Sequence, residues 1–212
     1  MSVQQAYNNW ASQYDTNNNK TRDLEAIALR EILSAISFDT ALEVGCGTGK
    51  NTAWLVEKTR HITAIDLSDE MLAKAKEKIK SNNVEFIQAD IKNKWTFTSQ
   101  LYDLVSFSLV LEHIQNLDPV FNEASKRLKP GGYVYIGELH PFKQYAGTKA
   151  RFETEQGQQV IECYNHHISE FTQTAKKYQL MPVDIREYFD DNDTNEIPRI
   201  LSLLLQQKAT GI

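Results

Sequence analysis

The sequence predicts an α/β fold with a mostly parallel sheet covered by helices on both faces. Short apolar runs of strand character alternate with stretches of helical period. The first such run, ALEV (41–44), opens directly into the glycine-rich GCGTG, and the next two runs close on the acidic residues Asp66 and Asp90. Alternating strands and helices build a parallel sheet. Ligands of such sheets bind beyond the carboxyl ends of the strands, and that is where the glycines and acids fall.

In chain order, Thr21 to Ser37 carries Leu24, Ile27, Ala28, Ile32 and Ile36 near helical period, and 41–44 is a short buried strand. Helix 52–58 follows the glycines. HITAIDLS (61–68) is a strand ending in Asp66, with Ser68 as N-cap of a lysine-rich helix reaching Lys80. VEFIQAD (84–90) is the third strand and YDLVSFSLV (102–110) the fourth; helix 118–128, the turn KPGG and strand YVYIGEL (133–139) complete the repeating unit. QLMPVDIREYF and PRILSLLLQQ suit a closing hairpin, with Pro182 and Pro198 near the strand starts, where proline is tolerated. Near the N-terminus, Tyr7, Trp10 and Tyr14 stand at i, i+3 and i+7, an aromatic stripe on one helical face.

The chain has 212 residues, 41% hydrophobic and 24% charged, enough for one α/β domain over 1–212. A net charge of −5 and scattered Lys and Arg argue against nucleic acid as partner, because phosphate binding needs clustered cations. No apolar run approaches the roughly 20 residues of a membrane span, and MSVQQAYNNW lacks a basic-then-apolar leader pattern. A cytoplasmic protein, monomer or homodimer, is expected. Cys46 and Cys163 form no CxxC pair and suit a reducing compartment.

The glycines at 45, 47 and 49 select among nucleotide sites. A dinucleotide fingerprint places its third glycine at 50, which is Lys; a P-loop needs glycine at 44, which is Val, and Ser or Thr at 51, which is Asn. Asp66 follows Gly45 at close to the roughly 20-residue spacing at which an acid takes ribose hydroxyls, so a ribose-bearing cofactor is the expectation.

LEVGCGTG, AIDLSDEML, EFIQAD, YDLVSFSLVLEHI and LKPGGYVYIGE, in this order over residues 38–139, resemble the motifs of class I S-adenosylmethionine-dependent methyltransferases. They are most similar to the small-molecule branch that includes the ubiquinone and menaquinone biosynthesis methyltransferases. The resemblance implies a Rossmann-like sheet of seven strands, the last antiparallel, with S-adenosyl-L-methionine as cofactor and S-adenosyl-L-homocysteine as product. It divides the chain into N-terminal lid helices (1–37), cofactor core (38–139), a substrate-side insertion after strand 5 (140–167) and a C-terminal helix with closing hairpin (168–212). Gly45, Cys46, Gly47 and Gly49 would pass close to the methionine part, with Glu43 near its ammonium; Asp66 would accept both ribose hydroxyls. Leu67 and Met71 would flank adenine, Asp90 and Ile91 would meet its polar edge, and Leu109 would floor the sulfonium. Trp10, Ala11, Tyr14 and Asp15 match the family's lid pattern, so Tyr14 would reach the cofactor and Arg22 its carboxylate, the alternative being that the stripe is packing. Cys46 reads as a small loop residue, because methyl transfer from a sulfonium needs no covalent enzyme intermediate, and Met71 has a second reading as core.

The insertion, about 30 residues where a bare fold needs a handful, reads as a hairpin around Gly157 and offers Trp10's partners for the acceptor: Tyr145, Arg151, Tyr164, His166 and His167. His140 and His113, leaving the fifth and fourth strands, are the rival catalytic bases, imidazoles being suited to neutral pH; His140 has an equal reading as a cap of the strand end. Cys163, His166 and His167 lack the paired spacing of a zinc site, and no metal is expected. The expected function is in-line methyl transfer to an O, N or C atom of a small molecule. An S-adenosylmethionine-binding protein without transferase activity is the alternative, and a nicotinamide-dependent oxidoreductase a more distant one.

Overall fold

The strand β1 (Thr40–Val44) lies in the middle of the main sheet and is buried from Ala41 onward, which is why its sequence is apolar apart from the buried Glu43. The computed structural model describes residues 2–16, 18–154 and 157–208, and of residues 151–154, 157 and 158 the backbone alone. β1 pairs in parallel with β2 (His61–Asp66) on one side and β4 (Tyr102–Ser108) on the other. β3 (Val84–Gln88) lies outside β2, and β5 (Leu128–Leu139) outside β4, both parallel. β9 (Ile200–Gln207) runs antiparallel to β5 and β8 (Leu180–Tyr188) antiparallel to β9, so the order of the seven strands is β3-β2-β1-β4-β5-β9-β8 and only β9 opposes the rest. The edge strand β8 exposes Val183 and Ile185 yet carries Asp184, Arg186 and Glu187, charges that discourage pairing with another edge.

Side-chain alternation sends Ala41, Ile62 and Leu104 to one face, under Leu29, Ile32 and Leu33 of α2 (Lys20–Leu33) and Leu55 of α3 (Thr52–Leu55). Leu72 of α4 (Asp69–Lys78) packs on Ala64 on that same face. Leu42, Val105, Val134 and Leu203 point the other way, under Val120 and Phe121 of α5 (Leu117–Lys126) and Phe171 of α7 (Ile168–Lys177). β1 leads outward to β2 and β3 before the chain returns to β4, so strand order reverses between β1 and β4. Their carboxyl ends splay apart into a crevice.

Three readings of local sequence need correction. The buried face of α2 includes Ala28 and Ile32 as expected, together with Glu25, Ala26, Leu29 and Leu33; only Ile27 departs from the predicted stripe, being 55% exposed. α1 (Val3–Trp10) ends at Trp10, so Tyr14 is not on the helix; it is carried back by turns after Trp10, and the Trp10 and Tyr14 rings still meet at 4.8 Å. In the insertion, the short α6 (Pro141–Tyr145) precedes a separate two-stranded sheet of β6 (Arg151–Thr154) and β7 (Gly157–Val160). Gly157 pairs with Thr154 and opens β7, so it stands in a strand and not in the turn; residues 155–156 lie outside the described residues.

Candidate active site

The glycine turn hangs from the neighbouring strand. The Gly45 and Cys46 amides both donate to the Ile65 carbonyl (2.8 and 2.9 Å), and the Gly47 amide donates to Asp66 Oδ2 (2.8 Å). The three glycines have φ of 74°, 54° and 85°, the left-handed region that side chains resist, but their surroundings differ. A Cβ on Gly45 would lie 2.2 Å from Val110 Cγ2, and one on Gly49 2.7 Å from Ile79 Cδ1 against α4; one on Gly47 would have no atom within 4 Å. Gly47 alone therefore faces open space, and Gly45 and Gly49 serve packing as well as the turn. Cys46 is buried against Ala64 and Leu72, with burial pushing its thiol up, so it is no nucleophile.

That open space has two chambers sharing Tyr14, Gly45, Gly47, Ser108 and Leu109. One, of about 100 Å³, is walled by Asp66, Leu67, Asp90 and Ile91; the other, of about 450 Å³, by Arg22, Glu43, Cys46 and Thr48. Asp66 Oδ1 also accepts from the Ser68 amide (2.8 Å), which fixes the carboxyl at the strand end, and burial raises its pKa. A carboxyl held this way keeps lone pairs for a diol in the smaller chamber. Asp90 organises its own loop, accepting from the Lys92 amide at 2.9 Å and Asn93 Nδ2 at 3.2 Å. Glu43 is buried, accepts from Thr52 Oγ1 at 2.6 Å, and is pushed up to about 8 by desolvation. Met71 lines neither chamber; it packs under α1 against Ala6 and Trp10, which settles it as core and corrects the adenine reading.

Opposite the glycines, Leu109 takes φ 56° and donates its amide to the Gly137 carbonyl at 2.8 Å. A leucine in the left-handed region costs on the order of 1 kcal/mol. Glu138 compensates: its Oε1 accepts from the Val110 and Leu111 amides (2.9 and 2.7 Å), while burial raises the carboxyl to about 8. An acid inside the apolar run YVYIGEL is the sequence signal that marks this anchor, as Glu25 is for α2, where it accepts from Asn51 Nδ2 (2.9 Å) and Tyr135 Oη (3.2 Å) behind the larger chamber.

The N-terminal segment covers the crevice. Tyr7, Tyr14 and Val3 wall the smaller chamber; Tyr14, its hydroxyl raised to about 12 by burial, stacks under the Arg22 guanidinium 4.0 Å from the ring centroid. Arg22 donates to the Tyr14 carbonyl, Ser68 Oγ to Asn8 Oδ1 (2.6 Å), and Thr48 Oγ1 to Asp15 Oδ1 (2.6 Å). Trp10 is buried among Ala6, Ala11, Met71 and Ile161 yet also lines an outer cavity with Lys20, Lys149 and Arg199.

Of the two candidate bases, only His113 reaches the crevice. Its Nδ1 lies 2.9 Å from the Glu162 carbonyl, which only accepts, so Nδ1 carries the proton and Nε2 accepts from Tyr7 Oη at 2.8 Å. His140 is fully buried and walls neither chamber of the crevice: its Nδ1 accepts from the Phe142 amide (3.2 Å) as the cap of α6, and Nε2 faces Glu187 at 2.9 Å. That geometry corrects the catalytic reading of His140 in favour of capping. Tyr145 is half exposed and bonded to His167, both on the outer surface of the insertion, and Tyr164 walls a small separate cleft beside Ile114. These three sit away from the crevice, a correction that no local sequence signal would have supplied. The side chain of Arg151 lies outside the described residues. His166 is spent on the Ile114 carbonyl (2.7 Å) and Glu170 (2.9 Å); Glu112, His113 and Cys163 do gather, with both ring nitrogens of His113 already bonded.

A parallel sheet with a glycine turn, an acid at each of the next two strand ends and a cover over the reversal point defines a nucleoside-cofactor enzyme of Rossmann-like architecture. Residues 42–136 match the family described as "Methyltransferase domain". An uncharacterised methyltransferase of Emericella nidulans is 24% identical over 91% of this chain and 81% of its own length. The ubiquinone biosynthesis O-methyltransferase of Nitrosomonas europaea is 30% identical over 52% of this chain, which spans 48% of that enzyme. Among solved structures, the complex of DhpI with S-adenosylhomocysteine has the same fold (TM-score 0.74–0.77 for its two complexes, 24% identity), covering 96% of this chain and 94% of its own in the S-adenosylhomocysteine form. Residues 42–136 are thus similar to methyltransferase domains, and the fold is that of the class I, S-adenosylmethionine-dependent methyltransferases.

Proposed function

We propose that residues 1–212 work as one domain that transfers a methyl group from S-adenosylmethionine to a small-molecule acceptor in the cytoplasm, without nucleic acid or membrane partners, as a monomer or homodimer. The observation that carries this reading is the meeting of cavities at Leu109, which walls both cofactor chambers and a third, polar cavity under the N-terminal segment. When bound, the cofactor supplies an electrophilic methyl on sulfonium; the bond to carbon breaks with its electron pair left on sulfur.

The chain's residues supply position and dryness. Asp66 takes the ribose hydroxyls, Leu67, Asp90 and Ile91 the adenine, Gly47 admits the methionine chain, and Glu43 and Arg22 meet its ammonium and carboxylate. Tyr7, Tyr14 and Trp10 exclude water, which favours displacement at a cation by an aligned nucleophile. His113 orients Tyr7 at the crevice wall. Supporting this, the Gly47 side of the turn is open and the Asp66 carboxyl is rigidly held.

Titration with S-adenosylhomocysteine by calorimetry, followed by incubation with methyl-labelled cofactor and fractionated metabolite extract, tests the proposal. Binding together with label in a small molecule is the expected result. Binding with label in no fraction would make the chain a cofactor-binding protein without transferase activity.

A further inference from the structure

The third cavity, of about 590 Å³, opens between the start of α2 and the residues that follow α6. Its wall is cationic in a chain whose net charge is −5: Lys20, Arg22, Lys149 and Arg199 against one acid, Glu112, among the described residues. Arg22 is shared with the larger cofactor chamber, whereas Lys20, Lys149 and Arg199 line this cavity alone.

The three differ in how far their charge is already met. Arg199 grips Asp190 with Nε and Nη2 (2.5 Å each) and reaches Thr21 Oγ1 at 3.1 Å, so its part is to hold the wall together. Lys20 has only a 3.9 Å approach to Asp191, with both side chains largely exposed, an interaction of little strength. Lys149 makes no ion pair among the described residues. The first residues of the 14-residue helix α2, Lys20, Thr21 and Arg22, line the same cavity and add the positive end of the helix dipole.

Glu112, in the same lining as Leu109, is only 6% exposed; burial raises its carboxyl, Cys163 and Gln144 hydrogen-bond it, and its Oε2 still takes no hydrogen bond from any described residue. A buried carboxylate oxygen left without a donor asks for one from a ligand. Lysines that line this cavity and neither cofactor chamber, with an unsatisfied acceptor three residues along the chain from Leu109, which walls all three, describe a molecule with two ends.

Resting on the transferase reading above, we propose that this cavity is the acceptor pocket and that the acceptor is a small organic acid. Its carboxylate or phosphonate meets Lys149, Lys20 and the start of α2, and its hydroxyl or amine, the atom methylated, donates to Glu112. In the transfer the acceptor's lone pair forms the bond to the methyl carbon, the carbon–sulfur pair stays with sulfur, and the acceptor's proton passes to the Glu112 carboxylate.

The test keeps the two claims apart. S-adenosylhomocysteine is titrated first into wild type and Lys20→Gln/Lys149→Gln, where affinity should agree within about twofold; no binding to wild type would sink the transferase reading itself. Citrate and inorganic phosphate are then titrated into the loaded proteins. Binding of citrate to wild type that weakens by at least about tenfold in the double variant, with phosphate weaker for a carboxylate acceptor or stronger for a phosphonate, supports the proposal. Equal affinity in both proteins, or no binding of either anion to loaded wild type, overturns it. In a second arm, methyl-labelled cofactor is offered with hydroxy and amino acids of both kinds and their neutral amides or esters. Label should enter the acids and, on Glu112→Gln, fall with kcat rather than KM; label entering the neutral partners equally well would overturn the assignment.

Discussion

Around the glycine turn the backbone is held by backbone and by buried acids, whereas the segment that covers it is held by side chains. On the floor, Gly45, Cys46 and Gly47 hang from Ile65 and Asp66, and Val110 and Leu111 hang from Glu138. Over the cover, Tyr7 reaches His113, Asn8 meets Ser68, and Asp15 meets Thr48 and, at 2.7 Å, Lys78. A floor fixed by main-chain bonds keeps its shape with or without ligand. A cover tied by a few side-chain bonds, each worth about 1 kcal/mol, lifts off locally at small cost, as the exchange of cofactor and acceptor requires.

The largest effects should come from the floor. Asp66→Ala removes the acceptor for the ribose and for the Gly47 amide, and should weaken S-adenosylhomocysteine binding by roughly 100-fold or more; calorimetry giving an unchanged dissociation constant would break the comparison at its base. Next, the glycines should separate. Gly47→Val places a branched side chain in open cavity at φ 54° and should abolish binding while the protein still melts cooperatively, whereas Gly49→Ala drives into Ile79 and should lower Tm with milder loss of affinity. Equal binding losses from the two, at equal Tm, would mean that both line the ligand.

The buried acids give a pH signature. Glu43, raised from an ordinary 4.5 to about 8, binds its proton more tightly folded than unfolded, so its contribution to stability is complete below pH 4.5 and fades as pH rises to about 8. The ligand-free protein should lose Tm over that window, and Glu43→Gln should flatten part of the loss, with Glu138 accounting for more of it. An identical slope in wild type and variant would remove Glu43 from the account.

Smaller effects are expected from the cover and from outside the crevice. Tyr7→Phe deletes the donor to His113 and should raise the dissociation constant of S-adenosylhomocysteine only a few-fold, about 1 kcal/mol at most. His140→Ala should cost stability, about 1–3 kcal/mol for an emptied buried cap, and leave that constant unchanged; weakened binding would return His140 to the site.

The same contrast divides what the sequence discloses. The alternation of strands and helices, the glycine turn and the acids at strand ends are local patterns, and they were readable from residues 41–139; the order of strands in the sheet was not. The buried acids Glu25, Glu112 and Glu138 interrupt apolar stretches and could have been found by that interruption. What is decided by tertiary packing was not readable. Whether a histidine after a strand turns inward, like His113, or caps the next helix, like His140, depends on Pro141 opening α6 and on Glu187 arriving from β8. The acceptor-side wall likewise joins Lys20, Lys149 and Arg199 from distant parts of the chain, with no spacing to reveal it.

Hydrogen exchange with and without S-adenosylhomocysteine tests the central claim, that cofactor is bound between the glycine turn and the N-terminal segment, most directly. The account predicts fast exchange of amides 3–15 in the free protein and strong slowing of both 3–15 and 45–49 when ligand is added. Protection confined to 45–49, with 3–15 exchanging as before, would contradict it.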